Sequence, residues 1–172
     1  MMRDKLYNPR KQTPRLSGWN YSTPGAYFVT ICTYGKEYLL GEIIDSTMHL
    51  SVAGEIVRYC WNDLPQHYIN VCLDAFVVMP NHIHGILVLK GTTEYKMKSK
   101  CHGLSEIVRG FKTYSSKRIN AERAVKGVKF WQRGFYDHII RNDVDLSAIR
   151  EYIVHNPSGW SKDEEHPSQL GM

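Results

Sequence analysis

The chain has 172 residues, with 22 Lys and Arg against 17 Asp and Glu, so its formal net charge is +5. This length predicts one domain, and an apolar fraction of 42% is enough for a hydrophobic core, which excludes global disorder. The sequence contains no run of ~18 apolar residues, so we expect no membrane-spanning segment. The basic N-terminus lacks the apolar stretch of a secretory signal. We therefore expect a cytoplasmic protein that does not contact a membrane.

The positive charge is concentrated in two segments. Residues 1–24 are polar, rich in proline and basic, and we interpret them as an N-terminal arm that includes Arg10, Lys11 and Arg15. Residues 90–129 contain eleven Lys and Arg against three Glu. Such segments suit a polyanionic partner, with nucleic acid first, but charge alone is equally compatible with a solvated lysine-rich surface.

The residue pattern predicts alternating strands and helices. In chain order these are a strand at 26–34, a hairpin turn at Gly35 followed by an apolar run at 38–40, a short strand at 48–52, a helix at 53–68 that ends or kinks near Pro65, strands at 71–79 and 82–89, a polar connector at 92–102, a helix at 104–120, extended segments at 128–131 and 135–141, and a helix at 144–156 that Asn142 or Asp143 caps. This order favours an α+β fold, a ferredoxin-like sandwich with helices on one face of an antiparallel sheet plus a C-terminal helix.

His82 and His84 stand one residue apart at the start of a predicted strand. Because side chains alternate between the two faces of a strand, both imidazoles point the same way and can bind one divalent metal together. The preceding Pro80-Asn81 turn places the pair at the rim of the sheet. By itself, however, this spacing favours two polar positions on a half-exposed sheet.

Tyr152 and Asn156 lie four residues apart on the last predicted helix and so share one helical face. An amide oxygen can bind a hard metal ion, and a tyrosine hydroxyl can act as a nucleophile. Together with Ile149 and Ile153, the two residues also match the spacing of a core stripe. Without further support, the pattern favours ordinary packing.

Two segments carry the side chains expected for contact with nucleic acid. Residues 130–143 combine aromatic rings with Arg133 and Arg141. The rings can stack on bases while the arginines bind phosphates. Equally, the rings can belong to the core and the arginines to the surface. The helix at 104–120 carries Tyr114, a further candidate hydroxyl, among basic residues. These are Lys112, Lys117 and Arg118.

Three stretches together resemble a known family, the single-tyrosine HUH transposases, and most closely the REP-associated tyrosine transposases. They are DAFVVMPNHIHGILVL (74–89), FWQRGFYDHIIRN (130–142) and IREYIVHNPSGW (149–160). The resemblance covers almost the whole chain and implies an HUH transposase domain at 25–160 followed by a polar tail at 161–172. In this family two histidines flank a hydrophobic residue, as His82 and His84 do, and a late helix carries a Y-x-x-x-N pattern.

The resemblance implies a role for each matching residue. Tyr152 is the nucleophile that attacks single-stranded or hairpin DNA, forming a 5′-phosphotyrosine bond and releasing a 3′-OH. Mg²⁺ or Mn²⁺ is held by His82, His84 and Asn156. The family also implies a homodimer and DNA contacts through the basic residues, and His138 or His155 is a candidate acceptor for the tyrosine proton. Tyr114 and Tyr136 fall outside the nucleophile pattern.

Two other functions compete with a DNA nickase and strand transferase. One is a domesticated regulator that binds hairpin repeats without transposing them. The other is an unrelated metal-dependent phosphohydrolase with water as its nucleophile, which is disfavoured because no acidic residue accompanies the histidines in the sequence. The sequence contains no P-loop, no dinucleotide-binding fingerprint and no hydrolase nucleophile elbow.

Overall fold

The computed structural model describes residues 18–91, 101–163 and 165. In chain order its elements are β1 (Gly25–Cys32), β2 (Gly41–Ile44), β3 (Thr47–Leu50), α1 (Val52–Asn62), α2 (Leu64–His67), β4 (Val71–Val78), β5 (His82–Leu89), α3 (Leu104–Glu122), β6 (Tyr136–Ile140) and α4 (Asp143–His155). Two short 3₁₀ turns lie at Tyr34–Lys36 and Trp160–Lys162.

The central sheet is antiparallel, and its strand order is β4-β5-β1-β6. Along the chain the order is a strand, a helix, a two-stranded hairpin, a second helix and a last strand. This order is the ferredoxin-like arrangement. Strands β2 and β3 form a separate two-stranded hairpin. The predicted α+β sandwich is therefore confirmed.

Helices cover both faces of the sheet, but the two layers differ in size. On one face, α1 and α3 pack a large core that includes Val29, Trp61, Ile83 and Phe111. On the other face, α4 buries Ile149 and Ile153 against a small cluster that contains Phe28 and Ile86. Among the described α-helices, α4 is the one that packs on this face of the sheet.

Local signals fix where α4 begins and ends. The side chain of Asn142 accepts a hydrogen bond of 2.8 Å from the backbone N–H of Asp145, which caps the first turn. Two aspartates in that turn complement the positive end of the helix. Pro157 follows the helix and cannot continue its hydrogen bonding. The predicted last helix, with Asn142 as its cap, is confirmed to within a residue.

Two local predictions need correction. The hairpin turn lies at Asp45-Ser46, between β2 and β3, where both residues adopt positive φ angles of 48° and 61°. Gly35 instead lies in a 3₁₀ turn, and residues 38–40 form no strand. The segment at 128–131, expected to be extended, pairs only through one isolated bridge between Thr33 and Trp131.

Within the described part of the chain, no helix combines the length and apolar character that crossing a bilayer requires. The basic arm with Arg10, Lys11 and Arg15 lies outside the described residues, as do most of the connector at 92–102 and most of the polar tail.

Candidate active site

The two histidines of the H-x-H pair lie side by side on the face of the sheet that α4 covers. His82 opens β5 and His84 pairs with Thr30 of β1, while Ile83 between them points into the opposite core. Both imidazoles are buried, and their Nε2 atoms are 3.0 Å apart. The structure therefore confirms the shared face at the start of β5, and it buries the pair under α4, which excludes the alternative of two positions on a half-exposed sheet.

Asn81 fixes the orientation of the His82 ring. Its side-chain amide donates to the carbonyl oxygens of Lys36 and Glu165, at 3.2 and 2.8 Å. Its Oδ1 therefore faces His82 Nδ1 at 2.8 Å. Because an amide oxygen can only accept, Nδ1 of His82 carries the proton and Nε2 keeps its lone pair. An Nδ1–H bond of this kind is the usual support of a metal-binding imidazole.

The contact with Thr30 allows either ring nitrogen of His84 to carry the proton. The Thr30 hydroxyl lies 2.8 Å from His84 Nδ1 and can either donate to that nitrogen or accept from it. Without a metal, His84 Nε2–H can donate to the lone pair of His82. With a proton on Nδ1 instead, both Nε2 lone pairs converge on one point.

Burial keeps both imidazoles neutral at physiological pH. Desolvation, with a smaller effect of Lys36, lowers the pKa of His82 to about 3. Desolvation and the neighbouring His82 hold the pKa of His84 well below its ordinary value, although Asp163 opposes the shift. Neutral rings with available lone pairs are the form that binds a metal ion.

The α4 helix brings Tyr152 to this pair within the same chain. The Tyr152 hydroxyl oxygen lies 3.2 Å from His84 Nε2, and its ring packs edge-on against Phe28. Two residues earlier on the helix, Arg150 makes a two-pronged ion pair with Asp74 of β4, at 2.8 and 2.5 Å. This ion pair and the small core beneath α4 hold the helix on the sheet and so fix the position of the Tyr152 side chain relative to the histidines.

Asp163 completes the cluster, and the sequence interpretation missed it. His82, His84 and Asp163 each offer a ligand atom, and these atoms all lie within 4.8 Å of one another. Asp163 Oδ1 is 4.0 Å from His82 Nε2, and Oδ2 is 3.5 Å from the Tyr152 hydroxyl. The argument that no acidic residue accompanies the histidines is therefore wrong, because the chain after α4 folds back over the site. No sequence signal marks Asp163, which reads as part of an acidic tail.

Asn156, the predicted third ligand, lies behind Asp163. Its Nδ2 donates a 3.0 Å hydrogen bond to Asp163 Oδ2, while its Oδ1 is buried and has no hydrogen-bond partner. An unsatisfied buried oxygen is costly unless something binds it. Asn156 thus orients the carboxylate and carries one buried acceptor that no hydrogen bond satisfies.

The donor set fits a divalent cation. Two neutral imidazoles, a carboxylate and an amide oxygen suit Mn²⁺, and oxygen-rich sets suit Mg²⁺. Adjacent ligands of an octahedral ion with bonds of ~2.1 Å lie about 3 Å apart, which matches the 3.0 Å between the two Nε2 atoms.

The remaining predicted residues lie away from this cluster. Lys112 donates from Nζ to the carbonyl oxygens of Gln132 and Gly134, and thereby ties α3 to the segment before β6. Lys117 and Arg118 are exposed on the outer side of α3, so the sheet separates them from the histidines. Exposed residues flanking β6 are Arg133 and Arg141.

The other candidate hydroxyls and proton acceptors have different surroundings. Tyr114 accepts a hydrogen bond from Arg118 on α3, and Tyr136 is 41% exposed on β6. His138 contacts Asp145 at 2.9 Å, and His155 contacts the backbone oxygen of its own helix at Glu151. Among the predicted site residues that the structure describes, Tyr152, the two histidines and Asn156 come together, and Asp163 joins them.

Known proteins share this sequence and fold. A family model described as an IS200-like transposase matches residues 28–156. A protein of uncharacterised function from Haemophilus influenzae is 36% identical over 167 residues, which cover 90% of this chain and 92% of that protein. A second protein from that organism, provisionally named a REP-associated tyrosine transposase, is 24% identical over 140 residues, covering 80% of this chain and 73% of its own. The structure of a REP-associated tyrosine transposase bound to a REP hairpin has a similar fold, with a TM-score of 0.59 and 22% identity, over 85% of this chain and 74% of that one.

Proposed function

The chain belongs to the IS200-like transposase family, and on that premise we propose that it cleaves and rejoins single-stranded, hairpin-forming DNA through a covalent bond to Tyr152. One observation carries the proposal: the Tyr152 hydroxyl lies 3.2 Å from His84 Nε2, inside a buried cluster with the chemistry of a metal site. A candidate nucleophile and a set of side chains that could bind a metal ion are therefore adjacent in one chain.

The cation that fits this site is Mg²⁺ or Mn²⁺. His82 and His84 would hold it through Nε2 and Asp163 through Oδ1, with the oxygen of Asn156 nearby. When bound, the ion would supply Lewis-acid polarisation of the scissile phosphate. We thus assign Asp163 as a ligand in addition to the predicted three.

The chain's own groups account for the proton and the new bond. A tyrosine of ordinary pKa ~10 is mostly protonated at neutral pH and needs a nearby acceptor. Asp163 Oδ2, at 3.5 Å, is placed to take that proton, and Asn156 holds the carboxylate in position. The tyrosine oxygen then forms a bond to phosphorus while the bond to the 3′ oxygen breaks. That oxygen leaves with the electron pair and becomes a 3′-OH by gaining a proton, which balances the one that Asp163 took from Tyr152.

Rejoining is the same exchange in reverse. A 3′-OH attacks the phosphotyrosine, the new phosphodiester forms, and the tyrosine oxygen recovers its proton. The bond count is unchanged in each direction, so strand transfer needs no nucleotide cofactor.

The test is a covalent-adduct assay. The protein is incubated with a labelled single-stranded hairpin DNA and Mn²⁺, and an SDS-resistant protein–DNA band is measured. We expect the band with the wild type and with Tyr114→Phe and Tyr136→Phe, and its loss with Tyr152→Phe. An adduct that persists in Tyr152→Phe would exclude this nucleophile.

The same assay separates the competing functions. Hairpin binding without cleavage would indicate the domesticated regulator. Cleavage without an adduct, retained in Tyr152→Phe, would indicate a phosphohydrolase that uses water, which the presence of Asp163 makes chemically possible.

The homodimer that the family resemblance implies stays a prediction. In this structure Tyr152 reaches the histidines of its own chain, so we propose that the tyrosine acts in cis. Mixing His84→Ala with Tyr152→Phe chains should then give no adduct, because neither chain has a complete site. An adduct in the mixture would show that the tyrosine helix is exchanged between subunits.

A further inference from the structure

We propose that an aromatic ledge beside the active site, formed by Tyr34, Tyr38 and Trp160, stacks on the bases of the single DNA strand that leads away from the scissile phosphate. This proposal rests on the proposed function, because it assumes that single-stranded DNA is the substrate. It adds a subsite for unpaired bases.

The ledge runs outward from the catalytic histidines. The ring of Trp160 lies 6.0 Å from that of His82, measured between centroids, and the two planes are tilted by 36°. The ring of Tyr38 lies 5.6 Å from Trp160 on the way to the surface. A DNA strand whose phosphate sits at His82 would therefore pass Trp160 and then Tyr38 on its way out of the site.

Hydrogen bonds hold the ledge rigidly against the histidine turn. The segment after β1 is tied to residues 80–81 by Thr33 N–H to the oxygen of Asn81, at 2.8 Å, and by Leu40 N–H to the oxygen of Pro80, at 3.0 Å. Asn81 in turn donates to the oxygen of Lys36, between the two tyrosines. A preorganised surface loses little conformational entropy when it binds a strand.

The two tyrosines of the ledge are exposed to solvent, unlike the aromatic rings of the core. Tyr34 is 51% and Tyr38 is 47% exposed, whereas Trp61 and Phe111 fill the interior. The ammonium of the exposed residue Lys129 lies 5.6 Å from the centre of the Tyr34 ring. Exposed rings next to a cation are what single-stranded nucleic-acid grooves use, since rings stack on bases and the cation pairs with phosphate.

Trp160 has a different role from the tyrosines. It is half-buried between the ring of His82 and that of Tyr38, and it is the first residue of the 3₁₀ turn that delivers Asp163. It therefore acts as a positioning residue that sets the distance between the stacking rings and the metal cluster. The exposed faces belong to Tyr38 and Tyr34.

The experiment measures binding without cleavage. Fluorescein-labelled dT 20-mer is titrated in EDTA with Tyr152→Phe protein, and anisotropy reports the Kd. Tyr38→Ala in this background should weaken binding about tenfold, the usual effect of losing one base–aromatic stack. Tyr38→Phe, which keeps the ring, should bind within about twofold of the parent.

A matched control lies on the opposite side of the sheet. Tyr59 of α1 is 54% exposed and belongs to neither the site nor the ledge, so Tyr59→Ala should leave the Kd unchanged. A hairpin with 2-aminopurine in its single-stranded tail gives a second readout: its fluorescence should fall on binding, and Tyr38→Ala should reduce that quenching.

The outcomes separate the two proposals. Equal affinity of Tyr38→Ala and its parent, an equal loss in Tyr59→Ala, or a tenfold loss in Tyr38→Phe would each overturn the ledge. Because this test needs neither metal nor Tyr152, a missing covalent adduct in the wild type would refute the cleavage proposal and leave the ledge in place. Since Tyr38 is exposed, its variants fold even if substitution of Trp160 does not.

Discussion

Replacing Gly85 with alanine tests how the large core supports the catalytic histidines. Gly85 follows His84 in β5 and faces the buried ring of Trp61. An added methyl carbon would lie 2.8 Å from Trp61 Cη2 and 3.0 Å from Cε2, and closer still to Cζ2. Carbon atoms in good contact are about 3.5–4.0 Å apart, so the ring or the strand has to move by roughly 1 Å.

The ring has little room to move. Trp61 is fully buried, stacks on Phe76 at 4.7 Å between centroids and meets Phe111 edge-on at 5.5 Å. Overpacking of this kind costs about 1–3 kcal/mol, and we expect the upper end because neighbours hold the indole on both sides. For a chain of this length, ~3 kcal/mol corresponds to a fall in Tm of about 6–12 °C. Part of the strain would shift β5 and weaken Mn²⁺ binding at His84.

Denaturant unfolding gives the free energy, and Mn²⁺ titration gives the affinity. Gly91→Ala is the control, since its methyl carbon would meet Pro24 only at 3.4 Å, and it should cost less than about 0.5 kcal/mol. Trp61→Phe removes the atoms that clash, so the double variant with Gly85→Ala should be more stable than the sum of the two single changes by about 1–2 kcal/mol. A Gly85→Ala protein as stable as the wild type, or strictly additive effects, would refute this account.

Three other substitutions address the site and its supports. Mn²⁺ at about 100 times its Kd should raise the wild-type Tm by about 5–11 °C, and Asp163→Asn should lose most of that shift in scanning fluorimetry; an equal shift would exclude Asp163 as a ligand. Hydrogen bonding from Arg150 holds the pKa of Asp74 below its usual 3.8, so the pair stabilises the fold above that pH and loses its effect as pH falls through the lowered pKa. The stability gap between wild type and Asp74→Asn should therefore be present at pH 7 and narrow below 3.8, as measured by unfolding at several pH values; a gap independent of pH would contradict it. Lys112→Gln should lower the Tm, because two carbonyls lose a donor, yet leave the salt dependence of DNA binding unchanged; a smaller slope would show that Lys112 contacts phosphate.

Short-range periodicity was enough to predict much of the site. His82 and His84 share a face because a strand repeats every two residues, and Tyr152 and Asn156 share a face because a helix repeats every 3.6. The cap at Asn142 and the stop at Pro157 are equally local. Each of these patterns is written in consecutive residues, so the elements and their orientation could be predicted from the chain itself.

Contacts between distant segments decided the rest. Asp163 reaches the histidines only because the chain after α4 folds back and its Oδ atoms accept from Glu165 N–H and Asn156 Nδ2, while the residues around it in sequence look like a solvated acidic tail. The sequence predicts Lys112 as a DNA contact, which stays a prediction. Only the fold shows that its ammonium bonds two backbone carbonyls.

The predicted hairpin was also misplaced because contacts with another segment of the chain decided where the turn forms. Gly35 is the residue that sequence rules favour for a tight turn, yet the turn forms at Asp45-Ser46, because the segment after β1 is committed to hydrogen bonds with Pro80 and Asn81. The sequence alone thus determined which elements form and which face each reactive side chain takes. Only the tertiary structure decided which of those faces meet, because burial and hydrogen bonding between segments far apart in the chain depend on how the whole molecule packs.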